Sequence, residues 1–69
     1  MNGDDMRLLT PQQIKVLKLL AQGLQNKEIA CRIQKSVSAV KKHISGLMRR
    51  LNVKTRTGIV VKALELGLI

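Results

Sequence analysis

Residues 36–51 read SVSAVKKHISGLMRRL. Val37, Val40, Ile44, Leu47, Met48 and Leu51 recur close to a 3.6-residue period, which predicts an amphipathic helix with these residues on its core side. Ser36 is a sound N-cap, and Asn52 accepts the left-handed conformation that ends helices. Gly46 falls in mid-helix, where it either permits a close approach or is simply tolerated. The outward side carries Ser38, Lys41, Lys42, Ser45 and Arg49. Such a stripe alone would suit any small helical bundle, so its neighbours decide the fold.

Just before it, Asn26–Ile33 predicts a short helix with Leu24, Ile29, Ala30 and Ile33 inward, and only Gln34 and Lys35 connect the two. A helix of about two turns joined so tightly to the next cannot lie antiparallel as in a long hairpin. It suits the steep crossing of a helix-turn-helix, whose later helix enters a DNA major groove.

Further out, LTPQQIKVLKLLAQG at 9–23 begins a first helix. Thr10 can cap it, Pro11 fits the first turn, and Gln13 completes a capping box, with Leu9 and Ile14 as a hydrophobic staple. Ile14, Leu17, Leu20 and Ala21 define its apolar face, and Gly23 stops it near Ala21–Gln22. A fourth helix is expected at about 56–66, capped by Thr55 and closed by Gly67. GIVV within it could form a short strand, but VKALEL continues the helical pattern and a lone strand would have no partner. The fold class is therefore all-α, a compact four-helix domain containing a helix-turn-helix. Residues 1–8 read as a flexible N-terminal tail or linker remnant, and 9–69 as the domain.

Composition agrees. A chain of 69 residues holds one domain, and with no Phe, Tyr or Trp its core must be packed from aliphatic residues. Missing rings also argue against binding single strands by stacking. One cysteine forms no internal disulfide and holds no zinc alone, so a reducing compartment is the default. The longest apolar run is too short to span a bilayer, and no signal-peptide core begins the chain, which predicts a soluble cytoplasmic protein without membrane association.

Thirteen Lys and Arg face four acids, a net charge of +9. From Lys35 to Arg56 there are seven positive residues and no acid. A helix stabilised by its own surface ion pairs would mix signs, whereas one-signed charge is tolerable when a polyanion neutralises it. Lys42 can donate to guanine O6 or N7, and Lys41 to a base or a phosphate according to helix roll. Ser38 and Ser45 can donate to base or phosphate acceptors. Arg49 falls farther along, nearer phosphates, and Arg50, Lys54 and Arg56 would flank the groove. Unpaired N–H groups at residues 26–28 make the start of the second helix another phosphate candidate.

These residues resemble the LuxR/GerE-type DNA-binding domain of bacterial transcription regulators. The resemblance runs from Leu9 through LTPQQIKVLKLLAQGLQNKEIA, then VKKHISGLMRRLNV, then KTRTGIVVKAL, three ordered blocks at the expected separations. It implies four helices, the middle pair forming the helix-turn-helix, and an output domain of a regulator such as a response regulator of a two-component system. It also implies that Lys41, Lys42 and Ser45 face the major groove and that Asn26 and Lys27 approach the backbone. Val60, Val61 and Leu64 would lie on the helix that pairs two domains over repeated half-sites. Expected partners are double-stranded DNA, a second copy and RNA polymerase.

Several positions depart from the family pattern. Gln13 replaces the usual Glu, and Gly58 replaces a Glu that would complete a box from Thr55. Lys35 stands where an apolar residue is usual, and Val37-Ser38-Ala39 replaces Glu-Lys-Thr. Ala39 removes a hydroxyl that often approaches phosphate, and Lys35 could offset the loss.

The other reading is a helical protein-interaction module with a basic solvated face. It predicts that Lys41 and Lys42 are dispensable and that the apolar surface of the fourth helix matters. An enzyme would need converging acid–base groups, and neither these nor a cofactor site is legible. His43 reads as a boundary residue rather than a switch, and Cys31 as a small helical residue rather than a redox sensor.

Overall fold

Short hydroxyl side chains set three of the four helix starts. In the computed structural model, which describes residues 9–69, Thr10, Ser36 and Thr55 each take an extended backbone. Each accepts a hydrogen bond from the N–H three residues on, at Gln13, Ala39 and Gly58. The helices that follow are α1 (Pro11–Ala21), α2 (Asn26–Ile33), α3 (Val37–Leu51) and α4 (Arg56–Glu65). The domain is all-α, with GIVV inside α4, and Leu66 caps that helix rather than ending it. The tail expected at 1–8 lies outside the described residues.

The α1 capping box is complete: Thr10 N–H donates to Gln13 Oε1 at 3.0 Å, and Gln13 N–H to Thr10 Oγ1 at 3.1 Å. Glutamine thus serves here without a charge. Gly58 supplies only the N–H half of the corresponding box at α4.

All four helices end alike. Gly23, Gln34, Asn52 and Gly67 adopt positive φ. The next residue then donates its N–H five positions back: Leu24 to Leu19, Lys35 to Ala30, Val53 to Met48, and Leu68 to Ala63. This pattern satisfies carbonyls that a helix end leaves unpaired, and it usually seats an apolar side chain just past the end. Leu24 and Val53 pack against the core and Leu68 is buried within it, whereas Lys35 is exposed. The turn between α2 and α3 therefore lacks the apolar anchor present at the other ends.

α3 packs against α1, α2 and α4, and α1 also meets α2 and α4. Leu17, Ile29, Leu47, Ile59, Val16 and Val40 are fully buried where they meet. Two expectations need correction. Ala21 is exposed, while Val16 and Leu19 are buried, because α1 is covered by three neighbours and buries a wider arc than one stripe. Val37 is 38% exposed, since it opens α3 at the edge of the face that Val40, Ile44, Leu47 and Leu51 bury.

Candidate nucleic-acid interface

Val40, Ile44, Leu47 and Leu51 bury one side of α3. At 100° per residue, Ser38, Lys41, Lys42, Ser45 and Arg49 fall within an arc of about 100° on the opposite side. All five are exposed. The core therefore sets the roll of α3 and presents a polar, one-signed ridge to solvent. Ser36 Oγ accepts from Ala39 N–H at 3.1 Å, so the serine opening the helix is occupied as a cap, while Ser38 is available at the rim.

Beside this ridge lies an open concavity at the start of α2. Gly23, Asn26, Lys27, Val37, Lys41 and Arg56 are among its lining residues. The exposed Val37 and Lys41 form the α3 side, and Lys27 projects from the first turn of α2. The backbone N–H of Gln25 donates to Glu28 Oε1 at 3.0 Å, so that acid is engaged in holding the start of α2.

The other expected phosphate contacts separate into two groups. Lys27, Lys35, Arg49, Arg50 and Lys54 are exposed, and Arg49 and Arg50 occupy the last turn of α3, where cations also complement the helix dipole. Arg56 and Asn26 are instead half-buried and meet each other. Arg56 Nη1 donates to Asn26 Oδ1, and Nη2 donates to the Leu24 carbonyl. Sequence reading placed Arg56 as an outward flanking cation and missed this inward engagement. No local signal marks it, because both acceptors are distant along the chain.

The three residues expected on a pairing surface are also sorted. Val60 packs against the core, whereas Val61 is 48% and Leu64 60% exposed. His43 is half-buried at the edge of the ridge, and Cys31 is exposed. Among the described residues, no three His, Cys, Asp or Glu gather where they could hold a metal, and no helix is long and apolar enough to cross a membrane.

Comparison with known proteins gives a consistent result. Residues 7–63 match the GerE family, described as bacterial regulatory proteins of the luxR family. The chain is similar to the nitrate/nitrite response regulator protein NarP of Escherichia coli (strain K12), 42% identical over 62 residues, covering 90% of this chain and 29% of that protein. It is also similar to the oxygen regulatory protein NreC of Staphylococcus carnosus (strain TM300), 36% identical over 67 residues, covering 97% of this chain and 31% of that one. These curated relatives are thus more than three times its length. A solved structure of the transcription factor GerE superposes with a TM-score of 0.83 at 30% identity, covering 88% of this chain and 91% of that chain.

Proposed function

Since this chain belongs to the luxR family of bacterial regulatory proteins, whose helix-turn-helix domain binds DNA as the output part of transcription regulators, we propose that it reads duplex DNA by laying α3 in the major groove. The observation that carries this reading is the α3 ridge, cationic and exposed on the side turned away from the core. Lys41, Lys42, Ser45 and Ser38 then face base edges. Lysine amines donate to guanine acceptors, and the short serines let the backbones approach. Lys27 at the start of α2, with Lys35, Arg49, Arg50 and Lys54 around the groove, makes up the electrostatic footprint, while Asn26 and Arg56 engage each other.

Two copies bind repeated half-sites through α4, with Val61 and Leu64 at the contact and Val60 supporting them from the core side. In this reading residues 9–69 are the output domain of a cytoplasmic response regulator that also meets RNA polymerase.

The test is duplex binding over a salt series by the chain and by K41A/K42A. The chain should lose affinity steeply with salt and prefer its selected site by roughly 4–10 kcal/mol over random duplex. The double variant should lose most of that preference. If strength and preference both survive, the α3 assignment is wrong. If the chain binds no duplex but captures a protein partner independently of Lys41 and Lys42, the interaction-module reading replaces this one.

A further inference from the structure

α2 and α4 do not pack on each other; each meets α1 and α3 instead. The Arg56 side chain crosses the gap. Arg56 opens α4, Asn26 opens α2, and Leu24 lies in the connection that leads into α2. The Arg56 guanidinium joins all three by donating to Asn26 Oδ1 and to the Leu24 carbonyl. Both acceptors are neutral, so the geometry of the fork, rather than charge pairing, selects arginine. A planar guanidinium holds two acceptors at a fixed offset, and a lysine ammonium, a compact point charge on a flexible stem, cannot reproduce that.

The tie acts where the fold is least self-sufficient. α2 has 8 residues, fewer than the other helices of the described residues, and its far end lacks the apolar anchor past Gln34. Its start is the part that approaches DNA in the reading above.

We propose that Arg56 is a positioning residue for DNA binding, clamping the first turn of α2 at a fixed offset from α4 instead of contacting phosphate itself. The inference rests on the groove-reading assignment of α3. It assigns the clamp a second consequence: the helix that pairs two copies is mechanically joined to the start of the helix-turn-helix, so a displacement of α4 is passed to the residues at the DNA backbone.

The experiment uses the whole chain and two probes, a duplex that it selects from a random library and an unselected duplex. R56K, R56M, N26A and R56M/N26A are compared over a salt series, with urea melts confirming that each is folded under the binding conditions. R56K and R56M should weaken the selected duplex alike, by about tenfold, with the salt slope of R56K unchanged. R56M/N26A should bind no more weakly than the more impaired single variant, a non-additivity in binding that a general loss of stability would not produce.

Retention of affinity by R56K, with loss in R56M and a slope smaller by about 0.9, would make Arg56 a phosphate-contacting cation and overturn the clamp. Additive losses in the double variant would overturn it too. Should R56M fail to fold, N26A against R56K decides the matter, because N26A removes one acceptor without changing charge. Absence of salt-dependent duplex binding by the chain itself would sink the DNA reading and this inference together, whereas failure of the clamp alone leaves that binding intact.

Discussion

Gly46 lies in mid-α3, where glycine costs about 1 kcal/mol relative to alanine. A Cβ there would stand 2.7 Å from Gln13 Nε2. Glutamine can ordinarily swing away, but this one is 9% exposed and its Oε1 is held by the Thr10 N–H. The amide thus fills the place of the missing methyl, and the two residues form a matched pair. G46A alone should be neutral or destabilising despite its better helix propensity. In a Q13A background the same change should stabilise by about 1 kcal/mol. Urea melts of the four proteins measure the coupling, and additivity would refute the pairing. The sequence displays the cost of Gly46, but its cause sits on another helix.

At the scale of the element, α4 shows how one helix divides its duties. Ile59 and Ala63 are buried, Val60 packs against the core, and Val61 and Leu64 face solvent. Placing a charge at Leu64 should therefore leave the monomer intact and disrupt the pairing proposed for α4. L64K should melt within about 0.5 kcal/mol of the parent, as surface substitutions usually do. It should bind an isolated half-site normally and lose cooperativity on a paired site in gel-shift titrations. Helix bounds were legible in the sequence because their causes are local: Thr10, Ser36 and Thr55 bond only three residues ahead. The ridge of α3 was legible because periodicity carries it. Burial of Val16 and Leu19 was not, since it depends on how many helices cover α1. Nor was the engagement of Arg56, whose acceptors lie 30 and 32 residues away.

The whole molecule carries +9 on 69 residues, with the charge concentrated from Lys35 to Arg56. Like charges held close oppose folding, and salt screens them over a Debye length of about 10 Å at 0.1 M. Raising sodium chloride from about 20 to about 500 mM should raise Tm by about 5 °C in circular-dichroism melts. The same salt should weaken duplex binding, so stability and affinity move in opposite directions. A Tm that falls with salt would mean that attractive pairs outweigh the repulsion. The unanchored turn at Gln34–Lys35 has a consequence of another kind. Amide hydrogens of α2 and its two connections should exchange with deuterium sooner than those of α1 and α3, as the first cooperative unit to open. Heating would then separate two thresholds, with recognition failing while most of the chain still holds its shape.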